Sequence, residues 1–126
     1  MALTMTTVGF AELAGLAGNT GSCTAFTALV YGTGTTAKTS ANTTLQTEVA
    51  RAAATVSRVT TTATNDTLKL TKTFTIGGTA VLSEIGVLNN ATSGGTLLGS
   101  EVMSPTRSVT AGDSWALTTQ IQFQAA

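Results

Sequence analysis

Between Asp66 and Ile76 the chain alternates, with Leu68, Leu70, Phe74 and Ile76 set against Thr67, Lys69, Thr71, Thr73 and Thr75. A repeat of two puts the first set on one face of a strand and the second on the other. The same period returns near the C-terminus, where Trp115, Leu117, Ile121 and Phe123 oppose Ser114, Ala116, Thr118, Gln120 and Gln122, with Thr119 the polar member of the inner set. These two strands are expected to supply the core. Residues 52–62 read as one strand, 63–66 (Ala-Thr-Asn-Asp) as a turn and 67–76 as its return, because Asn and Asp tolerate the backbone angles of tight bends. Further strands are expected over 24–31, 79–88 and 96–103, with 32–36, 89–95 and 111–113 as loops or turns. Pro105, lacking an amide hydrogen, should break the ladder.

In the 79–88 strand, Val81, Ser83, Ile85 and Val87 should share one face, and Leu82, Glu84, Gly86 and Leu88 the other. Glu84 then stands between leucines. It lies either near a sheet edge in water or partly buried against Arg51 or Arg58, since burial without a cation costs several kcal/mol.

Two segments depart from the period of two. Phe10, Leu13, Ala14 and Ala17 follow helical spacing, which predicts a short N-terminal helix or arm ending at Gly18-Asn19, despite Gly9, Gly15 and Gly18. It is either a lid on the domain's own core or a docking element for a neighbouring subunit. Residues 43–50 are expected to hold a helical turn, with Glu48 and Arg51 paired on an exposed face.

Thr makes up close to a quarter of the chain, and its branched side chain suits a pleated surface while its hydroxyl satisfies water. The expected class is all-β, a β-sandwich or jelly-roll-like single domain, with residues 1–20 as the arm or short helix and 21–126 as the sandwich. A length of 126 residues suits one core.

Charge narrows the chemistry. Charged residues are 10% of the chain and the formal net charge is zero. Lys38, Arg51, Arg58, Lys69, Lys72 and Arg107 are never adjacent, so the clustered cations that neutralise phosphates are missing and no nucleic-acid partner is expected. Neither a signal peptide nor a membrane span of ~20 apolar residues is recognised. With no His and one Cys, the usual base for a nucleophile, a zinc set and an intrachain disulfide are all lacking. Cys23 is expected to pack as a small hydrophobe. The Gly32–Thr36 loop lacks the Lys-Ser/Thr pair of a phosphate-cradling loop and reads as a plain turn. No catalytic, cofactor or metal site is assigned, and the chain is not expected to be an enzyme.

Several segments, in order, carry a pattern: Gly32-Thr-Gly-Thr-Thr36, Leu45-Gln-Thr-Glu48 with Arg51, Thr73-Phe-Thr75, Ser83-Glu-Ile-Gly-Val-Leu-Asn89, Gly94-Gly-Thr-Leu-Leu98 and Gly112-Asp113. Together they resemble a family of small virion structural proteins of tailed bacteriophages, over roughly residues 28–123. Leu88 stands where that family tends to have an aromatic residue, and Ser100 where a basic one is common. The resemblance implies an all-β virion protein assembled in the host cytoplasm, in which Glu48, Arg51 and Glu84 organise the fold. A chain of this size, without stalk or coiled coil, is expected to be a capsid decoration (cement) protein. It would be homo-oligomeric, a trimer being favoured, and bound to the major capsid protein or other virion proteins. The alternatives are a tail, neck or head-fibre component, and a carbohydrate-binding module using Trp115 and Tyr31, although the position of Trp115 on an apolar face favours the core.

Overall fold

A computed structural model describes residues 3–124 of the chain. It is a small all-β domain of two antiparallel sheets with one short helix. In chain order the elements are β1 (Thr4–Met5), α1 (Thr7–Gly18), β2 (Ala28–Gly32), β3 (Glu48–Ala53), β4 (Thr55–Val59), β5 (Thr67–Thr75), β6 (Ala80–Leu88), β7 (Leu97–Val109) and β8 (Ser114–Gln122). One sheet has the order β1-β7-β6-β2-β3 and the other β4-β5-β8.

The alternation read between Asp66 and Ile76 builds the core as expected. Leu70, Phe74 and Ile76 are buried with Trp115 and Leu117, against Leu29, Tyr31, Leu82, Ile85, Val87 and Leu98 of the larger sheet. Tyr31 meets Phe74 and Trp115 edge-on, with ring centroids 4.8 and 5.4 Å away, the arrangement that ring quadrupoles prefer. Thr119 is buried in the inner set as expected, but Phe123 lies past the end of β8 and is half exposed.

Several expected boundaries move. The expected strand over 52–62 is two strands, because the chain crosses from one sheet to the other at Ala54, whose amide donates to Thr27 O at 2.8 Å. The turn after it is as expected: Asn65 takes a left-handed φ of 58°, and Asp66 caps the bend by accepting the amides of Thr61, Thr62 and Ala63. The β6–β7 ladder is irregular between Leu82 and Glu84, where Ser83 alone faces residues 103–106 of β7. The side-chain alternation of β6 shifts there, so that Leu82 joins Ile85 and Val87 in the core instead of sharing a face with Glu84. Pro105 interrupts the β6–β7 pairing, which skips from Val102 to Arg107, yet β7 itself runs on to Val109. Residues 43–50 hold no helical turn; Glu48 opens β3 instead.

The helix forms where expected. Thr6 is its N-cap, accepting the Gly9 amide at 2.9 Å, and Asn19, with φ 49°, ends it. Its contact face differs from the apolar stripe. Gly9 and Gly15 are buried, Leu13 and Leu16 pack against the core as a lid, and Phe10 is exposed. Glycine decides the face: a Cβ at Gly9 would lie 2.7 Å from Leu98 Cα, so this side can approach β7 as no larger residue would allow.

Candidate functional site

The irregular segment 33–47 covers the outer face of the larger sheet. Leu45 from this segment joins Ala28, Val30, Leu88 and Leu97 in a second, smaller apolar cluster. Beside that cluster the shifted alternation of β6 directs the Glu84 side chain away from the main core and under the loop, where it is fully buried.

Four donors converge on this carboxylate. Oε2 accepts the amides of Gly34 at 2.8 Å and Thr47 at 2.7 Å. Oε1 accepts the Gln46 amide at 2.9 Å and the Lys38 ammonium, itself almost wholly buried. Burial alone would push the Glu84 carboxyl up, but Lys38 and the three amides outweigh it and hold the group below the ordinary glutamate value. Glycines 32 and 34 make the approach possible, since a Cβ at either would lie within 2.7 Å of Glu84 Oε2. Glu84 therefore stands neither at a sheet edge nor against Arg51 or Arg58. Its strand is interior to the sheet, between β7 and β2, and its cation comes from the loop above. The Gly32–Thr36 segment does cradle an anion, and the anion is the chain's own carboxylate.

Arg51 completes the corner one strand away. Its Nε and Nη2 donate to the two Glu48 oxygens at 2.7 and 2.6 Å, a bidentate pair. Nη1 donates to Gly94 O at 2.7 Å and Asn90 O at 3.2 Å, tying β3 to the β6–β7 loop. The expected Glu48–Arg51 pair is thus present, but on an edge strand rather than a helical turn, and Arg51 is largely covered. Hydrogen bonding to Glu48 raises the Arg51 value further, so it stays cationic throughout. Within the same loop, Asn89 Oδ1 accepts the Thr96 amide at 2.7 Å, and a Cβ at Gly95, whose φ is +79°, would lie 2.7 Å from that oxygen.

Five of the six segments singled out in the sequence meet or neighbour one another here or in the core: the Gly-Thr-Gly loop, the Leu45–Glu48 run, Ser83–Asn89 and Gly94–Leu98 surround the corner, and Phe74 meets Tyr31 edge-on in the core. Lys38, the partner of Glu84, was not singled out. Its signal was its isolation, as the first basic residue of the chain and a lone charge in a run of small polar residues.

The remaining candidates are placed as follows. Cys23 is half-buried against Gly15, and burial followed by the Glu12 carboxylate pushes its thiol up, so it remains protonated. Glu12 ties the helix to the sheet by accepting from Asn89 Nδ2 at 2.7 Å and the Thr24 amide at 3.1 Å. Trp115 and Tyr31 are both core residues and offer no face for sugar stacking. Among the described residues no three His, Cys, Asp or Glu side chains gather in a metal-binding group, and no helix is long and apolar enough to cross a membrane. Compared with family models, curated proteins and solved structures, the chain matches none.

Proposed function

We propose that this chain is a bacteriophage virion structural protein, and that it acts as a capsid decoration protein, a homo-oligomer stabilising the head through contacts repeated over its surface. The observation that supports the reading is the corner around Glu84 and Arg51. The segments whose order resembles the small virion proteins serve one physical purpose, fastening a long loop and the β6–β7 connection onto the larger sheet. A pattern spent on closing the fold, with every donor and acceptor at Glu84 consumed, belongs to a structural part. The sparsely charged, hydroxyl-rich exterior is suited to wet, hydrogen-bonded contacts, and modest affinity per copy suffices where many copies act together.

Quantitative mass spectrometry of purified particles against the major capsid protein tests this. A ratio near one, or near one third, is the expected result. A ratio of a few per cent moves the protein to the tail, neck or head fibre, and absence from particles overturns the virion reading.

A further inference from the structure

The inner face of the smaller sheet runs on past the core. In the ladder between β4 and β5, Val56 stands opposite Leu70 and Arg58 opposite Leu68, so both side chains point to the side on which Leu70 is buried. Yet Val56 is 39% exposed, because a groove and not a packed neighbour lies over this end of β4. Leu13 and Leu16 of α1 and the buried Phe26 line it together with Val56 and Leu68, and the half-exposed Phe123 stands at its rim. The groove holds about 300 Å³, the lower end of the range for small-molecule sites, and its lining is predominantly apolar.

Two ionisable groups border the groove, Arg58 and Asp66, and only one of them is engaged. Asp66 is spent within its own turn, where its oxygens accept the amides of Thr61, Thr62 and Ala63, the Thr67 hydroxyl and the Gln122 side-chain amide. Arg58 enters no ion pair among the described residues, whose two bridges join Lys38 to Glu84 and Arg51 to Glu48. Its guanidinium is a fork of donors at the edge of an apolar groove, and such a fork matches a carboxylate. No second cation lines the groove, which suits a single carboxylate better than the many anionic heads of a membrane surface.

We propose that this groove binds an aliphatic carboxylate, its hydrocarbon tail laid between α1 and the β4–β5 face and its head on Arg58. The tail displaces water from apolar walls that the fold itself leaves uncovered, and the head supplies the anion that Arg58 lacks. Most of the affinity comes from the tail, since a few buried methylenes outweigh one exposed ion pair. The inference rests on the groove alone and does not depend on the virion reading.

Isothermal titration calorimetry of the full chain with decanoate, kept below its micelle concentration, tests it together with methyl NMR on the same titration. The expected result is saturable binding, with the methyl resonances of Leu13, Leu16, Val56 and Leu68 shifting. Octanoate, two methylenes shorter, should bind roughly tenfold more weakly. Arg58→Gln should weaken decanoate about fivefold while leaving decanol unchanged, which separates the contact with the head from a general loss of structure. Val56→Trp fills the groove from an inward position and should abolish binding with an unchanged circular dichroism spectrum. No saturable binding, methyl shifts away from the groove, decanol bound as tightly as decanoate, or undiminished decanoate affinity in Arg58→Gln overturns the proposal.

Discussion

Replacing Glu84 by Gln keeps the shape of the side chain and removes its charge. Glu84 Oε1 faces two donors, Lys38 and the Gln46 amide, and Oε2 faces two more, the Gly34 and Thr47 amides. Glutamine has one oxygen and one NH2 group, so whichever way the amide is turned, two donors confront a donor. Each lost bond to a charged acceptor is worth about 1.5–3 kcal/mol, and stranding the buried Lys38 ammonium adds to that, although part is recovered as the loop relaxes into water. The expected loss is about 4 kcal/mol, a large share of the ~5–15 kcal/mol that holds a domain together. Lys38→Met should cost less, about 2 kcal/mol, because three amides still hold the carboxylate. Urea unfolding followed by circular dichroism gives both values through the midpoint at constant slope. A loss below about 1 kcal/mol for Glu84→Gln, or a larger loss for Lys38→Met, would refute the assignment of Glu84 as the acceptor on which the loop depends.

Acid should destabilise the protein. Glu84 and Asp66 are both held below their ordinary values of 4.5 and 3.8, so the stability they contribute is full above those values and is lost as pH falls through and below them. Melting temperature should therefore drop from pH 5 downward, with a shallower slope in Asp66→Asn. Gly9→Ala should destabilise by about 1–3 kcal/mol in thermal unfolding despite the better helix propensity of alanine, because its Cβ would meet Leu98 backbone. The same change at Gly78, where a Cβ would meet nothing, supplies the control. Arg51→Lys loses the bidentate fork and the reach to Gly94, so amides of residues 90–95 should exchange faster while the core amides are unchanged.

The parts of this fold that could be read from sequence are those decided locally. The 67–76 strand is set by its own alternation, the turn before it by Asn65 and Asp66, and the end of the helix by Asn19. The misread parts depend on what lies across space. Nothing within residues 52–62 marks the crossing at Ala54, because the partner that fixes it is Thr27. The irregularity at Ser83 is set by the longer β7 segment opposite it, far along the chain, and a one-residue slip was enough to put Leu82 on the wrong face. The helix was read from its large apolar residues, whereas its contact face follows the close approach that Gly9 and Gly15 permit. Glu84 was singled out but placed either at a sheet edge in water or against Arg51 or Arg58, because nothing local shows that its strand is interior or that Lys38, 46 positions away on the covering loop, supplies the cation.

Every hydrogen bond that the 33–47 loop makes to Glu84 spans between 37 and 50 residues. The loop cannot take its shape until β6 has aligned beside β2, so it settles late in folding, after the larger sheet is in register. Once settled it behaves as one latch. Opening it releases Leu45, Lys38 and three amides in a single step and exposes the smaller apolar cluster while the main core stays closed. Such an opening would offer a protease a cut ahead of global unfolding.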